Sequence, residues 1–234
     1  MSDFAPVKEL IKDVPGWLSD EEGEALYELA RACTGKGAIV EIGSWKGKST
    51  ICLGLGSRAG CGVQIFAVDP HADYRHGEFK DNIERAGIAD LVTPVKGLSQ
   101  EVVGEFHEAI ELLFVDGSHE EEDVRDDFEQ WVPKVVEGGV VAFHDTTWHY
   151  GVRKVVAEKI YGARGFKDVR FVPGSTTVAR KVAQNTARDR LHARRVQATK
   201  AVFGAVTRVL RKRRGWVPSP VERAGRRVFK LVGR

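Results

Sequence analysis

The sequence predicts an α/β chain, a doubly wound, mostly parallel seven-stranded sheet with helices on both faces. Three observations carry that expectation. Apolar runs of strand length alternate with segments whose apolar residues recur at helical spacing. Two of those runs, 113–115 and 140–143, stop abruptly at Asp116-Gly117-Ser118-His119 and at His144-Asp145. A final pair of runs, split by Pro173-Gly174-Ser175, reads as an antiparallel hairpin. Five strand–helix units build a parallel sheet, and the hairpin closes it.

The elements follow in order. Ser19 and Glu22 have capping-box spacing ahead of a helical stripe of Ala25, Leu26, Leu29, Ala30 and Cys33. Ala38-Ile39-Val40-Glu41-Ile42 is the first strand, and a glycine turn leads into a helix through Ile51, Cys52 and Leu55. The second strand, 63–69, ends in Asp69, with a helix around 79–86 behind it. The third is 91–95, after which Ser99 caps a helix. The fourth is 110–116. Ser118 and Glu121 predict another capping box there, opening a helix that buries Val124, Phe128 and Trp131 and holds His119 in its first turn. The fifth is 139–145, followed by a helix through Val152, Val155, Val156 and Ile160.

At 234 residues the chain has ample length for one domain and an appendage. No run approaches the roughly 20 apolar residues of a membrane span, and the start lacks the basic-then-apolar pattern of a signal peptide. Cys33, Cys52 and Cys61 have no metal-ligand spacing and read as reduced, buried thiols of a cytoplasmic protein. The net charge of +3 hides an asymmetry. Sixteen of the 36 basic residues, but only Asp189 and Glu222 of the 33 acids, lie from Lys181 onward, so residues 181–234 carry +14 and residues 1–180 carry −11. That break divides an acidic globular domain, 1–180, from a basic tail, 181–234.

In an open α/β sheet ligands bind beyond the carboxyl ends of the strands. If the fourth and fifth strands are neighbours, Asp116, His119, His144 and Asp145 converge there. Two carboxylates and two imidazoles can hold a divalent cation and leave a base free. Gly43 and Gly47 allow the first turn to close tightly over a ligand, and Asp69 can accept hydrogen bonds from ribose hydroxyls. Gly43 to Ser49 has three residues between its glycines, one short of a P-loop. Glu41, just before the turn, suits a cationic ligand better than a triphosphate. A P-loop-like nucleotide-binding protein is therefore the rival reading.

Glu41-x-Gly43-x-x-x-Gly47-x-Ser49, Asp69, Asp116-Gly117-Ser118-His119 and His144-Asp145 together resemble the class I S-adenosylmethionine-dependent methyltransferases. Within them, the chain is similar to the branch of macrolide-sugar O-methyltransferases and cephalosporin-hydroxylase-like proteins, over residues 38–179. The resemblance implies S-adenosylmethionine as cofactor. Glu41, Gly43, Ser44 and Gly47 would line its methionine part, Asp69 would meet the ribose and Ser99 the adenine region, with Ser49 also among the cofactor-binding residues. It also implies a divalent cation, Mg or Mn, on Asp116, His144 and Asp145, with His119 as general base. The relatives have an acidic pair where this chain has His144-Asp145. An imidazole in that place favours Mn²⁺, Fe²⁺ or Co²⁺ over Mg²⁺ relative to an all-oxygen set.

The implied reaction is O-methyl transfer to a hydroxyl of a sugar or glycosylated natural product. His71, Tyr74 and His76, and Trp148, His149 and Tyr150, lie on loops expected to overhang the crevice, with Trp148 and Tyr150 as the foremost pocket candidates. The tail shows one apolar stripe of Val202, Phe203, Val206, Val209 and Leu210 beside Arg208, Arg211 and Lys212, and a second helix start at Ser219-Pro220-Val221-Glu222. Such helices dock on an anionic membrane, at the inner face in a cytoplasmic protein, or on a partner subunit in a homo-oligomer. RNA is the competing partner, which would make this an RNA-modifying methyltransferase. Phe203, Trp216 and Phe229 are sparse for base stacking.

Overall fold

The computed structural model describes residues 3–71, 74–214, 224 and 228. Helices α1 (Ala5–Ile11) and α2 (Asp20–Arg31) precede the first strand. The predicted capping box is present at α2. Ser19 accepts from the Glu22 N–H, and the Glu22 carboxylate accepts from the Ser19 N–H. The alternation then runs β1 (Ala38–Ile42), α3 (Lys48–Ala59), β2 (Ile65–Asp69), α4 (Tyr74–Arg85), β3 (Val92–Lys96) and α5 (Ser99–Val102). It continues with β4 (Ile110–Val115), α6 (Glu121–Trp131), β5 (Val135–Phe143), α7 (Tyr150–Val156), β6 (Phe166–Val172), β7 (Thr176–Lys181) and α8 (Ala187–Arg214).

The sheet has seven strands in the order β3-β2-β1-β4-β5-β7-β6. Strands β1 to β5 are mutually parallel, while β7 is antiparallel to both β5 and β6. The chain therefore reverses its winding between β1 and β4, which opens the switch-point crevice above Gly43 and Asp116. All five residues of β1 are buried, as a central strand covered on both faces requires. One face packs under Trp131, Val155 and Ile160. The other packs under Leu26, Ile51, Phe79 and Ile88. Burying each such side chain is worth roughly 1.5–3 kcal/mol, so a one-residue slip in register, which would turn these faces over, is strongly disfavoured.

Two local expectations are corrected. Helix α6 starts at Glu121 with Glu120 as its N-cap and no side-chain cap, so the Ser118–Glu121 box does not form. Ser118 Oγ instead accepts from the Glu120 N–H at 3.2 Å. His119 thus lies in the loop before the helix. The reason is tertiary, because Gly151 of α7 packs so tightly on the backbone of His119 to Glu121 that a Cβ there would collide with it. Cys33 and Cys52 are buried free thiols as expected, but Cys61, in the turn after α3, is exposed.

Helix α8 also departs from its predicted stripe. It begins at Ala187, where Thr186 and Asp189 exchange capping hydrogen bonds, and it packs along β6. Its inner face is Ala193, Val196, Lys200, Gly204 and Thr207, whereas Val202, Val206 and Val209 are exposed. The predicted helix around 219–232 and the side chain of Leu210 fall outside the described residues. Among the described residues no helix is long and apolar enough to cross a membrane.

Candidate active site

A cavity of about 1440 Å³ opens at the carboxyl ends of the parallel strands. The glycine turn forms its floor. Gly43 has φ +86°, and a Cβ there would strike the Asp116 backbone, so only glycine lets the ends of β1 and β4 meet so closely. Gly47, at φ 86°, is the N-cap of α3. Asp69 ties the floor together, accepting from the Trp45 N–H through Oδ2 and the His71 N–H through Oδ1, both at 2.8 Å. Gly43, Ser44, Trp45, Lys46, Ser49, Asp69 and Ser99 line the cavity, whereas Gly47 is not part of the lining.

Glu41 lies elsewhere. It is fully buried beneath the turn and outside the cavity lining, accepting from Ser49 Oγ at 2.5 Å and from Thr50 Oγ1. Burial pushes its carboxyl up to about 8. A group so enclosed braces the turn and offers no surface to a cationic ligand. Ser99 does not cap its helix either. Leu98 is the N-cap, and the Ser99 hydroxyl donates to Asp127 Oδ1.

On the other wall, the ends of β4 and β5 bring Asp116, His119, His144 and Asp145 together, as their spacing predicts. His144 Nδ1 lies 2.9 Å from Asp116 Oδ1 and 3.6 Å from Asp145 Oδ2. Its Nε2 lies 3.3 Å from Glu22 Oε1. Burial alone would lower the pKa of His144, but its contacts with Asp116, Asp145 and Glu22 outweigh that and lift it to about 12. Burial also works against charge on Glu22 and Asp145, yet His144 holds both below the usual carboxylate range. For Asp116 burial wins and its pKa is raised.

Asp145 is a hub. Its φ of 55° is rare for a residue with a Cβ and is tolerated best by short polar side chains. Its Oδ2 is 2.8 Å from His119 Nε2 and 3.7 Å from His149 Nε2, and the two imidazoles stack with centroids 3.6 Å apart. The ligating atoms of Asp116, His144 and Asp145 all lie within 4.8 Å of one another, as do those of His119, Asp145 and His149. The first set fits a divalent cation. Its two carboxylates and Nδ1 are close enough together to reach one ion, and Glu22 stands 3.3 Å from Nε2, where an outer carboxylate commonly stands beside a ligating histidine.

Several site residues escaped sequence reasoning. Glu22 was legible as a capping residue, but it also accepts from the Ser175 N–H at 2.6 Å and Thr176 Oγ1 at 2.8 Å. Trp17 and Trp45 stack at 5.3 Å on the cavity wall, and Phe203 and Thr207 bring α8 into it. Of the loop aromatics, Trp148 and His149 line the cavity. Tyr150 is 65% exposed and sits under Arg153 instead. His71 is buried outside the lining, against Phe79 and His76, and the Tyr74 side chain is outside the described residues.

Comparison with known proteins follows the same lines. Residues 40–146 match the family model described as a methyltransferase domain. An uncharacterized protein, y4gI, of Sinorhizobium fredii (strain NBRC 101917 / NGR234) is 36% identical over 118 residues, which cover 46% of this chain and 13% of that protein. The matched part of the chain thus spans only a small part of this curated relative. The O-methyltransferase from Bacillus cereus, solved with SAH, superposes with a TM-score of 0.59 at 19% identity, covering 75% of this chain and 90% of that one. The O-methyltransferase TomG from Streptomyces achromogenes, involved in tomaymycin synthesis and solved with SAM, gives 0.58 at 18% identity, covering 78% and 91%. At such identities the superpositions show the fold alone, and they agree with the match over residues 40–146: that stretch is similar to a methyltransferase domain, and the chain has the seven-stranded Rossmann-like fold of the solved O-methyltransferases.

Proposed function

We propose that the chain transfers a methyl group from S-adenosylmethionine to a hydroxyl of a sugar or glycosylated natural product, with a divalent cation, Mg or Mn, assisting. The observation that carries this reading is the meeting of the Gly43 turn with Asp116, His119, His144 and Asp145 in one crevice. Gly43, Ser44, Gly47 and Ser49 shape the methionine side, Asp69 accepts from the ribose, and Ser99 marks the adenine end. The cofactor supplies an electrophilic methyl on sulfonium sulfur, so much of the catalysis is alignment of the acceptor oxygen behind it. Asp116, His144 and Asp145 would hold the cation, which lowers the pKa of a hydroxyl near it. His119 takes the hydroxyl proton. Asp145 at 2.8 Å engages Nε2 and leaves the Nδ1 lone pair as the base.

Ser49 argues against the P-loop alternative. The hydroxyl that a P-loop turns to its metal donates here to buried Glu41. Titration calorimetry separates the two readings: S-adenosylhomocysteine is expected to bind and ATP is not. Binding of ATP alone would replace this reading with the nucleotide-binding one.

The donor set gives a second expected result. With one imidazole among its ligands, the site should take Mn²⁺ or Co²⁺ in preference to Mg²⁺, and His144→Asp should move that preference back toward Mg²⁺. Competition against Mn²⁺, followed by its electron paramagnetic resonance, measures this. Full methyl transfer after exhaustive chelation would leave His144 as a pocket residue only.

In the same reading, residues 1–180 carry the chemistry and 181–234 dock the enzyme on an anionic membrane near its acceptor, the inner face of α8 packing on the domain and its outer face meeting the membrane. Exposed Leu191, Val202, Val206 and Val209 alternate on α8 with exposed Arg188, Arg194, Arg195 and Arg208, which supports this docking surface. Because α8 also walls the cavity, charge reversal is a cleaner test than truncation. Arg194→Glu with Arg195→Glu should weaken co-sedimentation with anionic vesicles by more than 10-fold, at about 1 kcal/mol per basic residue lost. The wild-type attachment should weaken steeply with salt. No sedimentation at low salt would leave a partner subunit or RNA as the tail's target.

A further inference from the structure

A second set of metal-binding side chains meets on the more exposed side of Asp145. His149 follows it by one turn of chain, and the His149 N–H donates to the Asp145 carbonyl at 3.3 Å. His119 comes from the loop after β4. Backbone packing brings the two histidines together, because a Cβ on Gly151 would stand only 2.4 Å from the His119 carbonyl oxygen. Their rings stack at 3.6 Å with planes 23° apart, and both Nε2 atoms turn to Asp145 Oδ2, at 2.8 and 3.7 Å. The longer distance is no hydrogen bond, so hydrogen bonding to Asp145 accounts for the place of His119 and leaves that of His149 unexplained.

We propose that His119, Asp145 and His149 form a second metal site, for Zn²⁺, and that zinc bound there silences the general base. The silencing rests on the methyl-transfer reading above; the site itself does not. Two imidazoles, one carboxylate and an open fourth position are a zinc donor set. Tetrahedral bonds of about 2.0–2.1 Å place neighbouring ligand atoms roughly 3.3–3.4 Å apart. The 2.8 and 3.7 Å separations lie on either side of that. Both histidines are half-exposed and line the cavity, so an ion can reach them from it. A carboxylate has two oxygens, so Asp145 can serve this ion and the inner one together. Among the described residues no other carboxylate backs either ring, the outer partner that tightens a zinc ligand, so the ion should exchange readily. A neutral imidazole carries one N–H. Once Nε2 of His119 gives its lone pair to zinc, that proton sits on Nδ1, the atom that would take the hydroxyl proton. The base thereby becomes a donor.

The test is zinc titration calorimetry on the untagged full chain. His149→Phe keeps a ring against His119 and removes the ligand. It is expected to lose one zinc equivalent, or to bind it more than about 100-fold more weakly, since even an outer partner is worth about 10- to 100-fold. If that variant does not fold, as judged by its melting curve, His149→Asn, which retains a helix-capping side chain, tests the same loss. In wild type, filling that equivalent should slow methyl transfer by about 10²-fold or more, the least a general base usually contributes. His149→Phe should keep its own rate at the same zinc concentration. Unchanged zinc stoichiometry and affinity in a folded variant overturns the proposal. Zinc that binds through His149 without slowing wild type overturns the silencing and counts against His119 as the base. One equivalent in wild type and none in the variant supports this site and removes the inner cation from the methyl-transfer reading.

Discussion

Replacing His119 by alanine is expected to lower turnover by about 10²- to 10⁴-fold, the usual contribution of a general base. The affinity for S-adenosylhomocysteine should not change, because His119 stands on the β4–β5 wall, away from the glycine turn. Its side chain is 42% exposed, so little packing is lost and the fold should survive. Exogenous imidazole should restore part of the rate, since the vacated space opens to the cavity and Asp145 remains to orient a replacement. Asp145→Asn should also be slow, because an amide no longer holds Nε2–H and the ring loses its preferred tautomer. Full activity in His119→Ala, measured as methylated acceptor, would remove His119 from the mechanism.

Glu22→Ala is expected to be the most destabilising change at the site. It would leave the His144 ring without one of its carboxylates and the Ser175 N–H without its acceptor, both buried. Removing one member of a buried charged pair costs about 3–5 kcal/mol. For a chain of this size that is roughly a 6–20 °C lower Tm, at 2–4 °C per kcal/mol. Glu22→Gln keeps the volume and an acceptor oxygen and should lose much less. Differential scanning calorimetry measures both. A melting temperature within about 2 °C of wild type for Glu22→Ala would show that the link from α2 to the β5 rim contributes little.

Glu22 also shows how far local sequence reaches. Its capping box with Ser19 was legible because both partners fall within three residues. Its bond to the Ser175 N–H spans 153 residues, and no window of sequence contains it. Asp116 and Asp145 were legible for a different reason. A strand's carboxyl end is written where its apolar run stops, and the crevice lies there in any open parallel sheet. Glu41, by contrast, misled. Its place before the glycine turn suggested ligand contact, but two hydroxyls of α3 enclose it.

By itself the sequence determined the alternation of strands and helices, the rim of acids and imidazoles, and the contrast between an acidic body and a basic tail. Those properties reside in short-range periodicity and in composition. Only the tertiary structure decided that β7 inserts between β5 and β6, that His144 is clamped by a carboxylate from α2, and that Phe203 and Thr207 of the tail wall the cavity. Each of these joins segments far apart in the chain, and the pairing is selected by the area buried and the polar groups satisfied when the whole sheet is assembled.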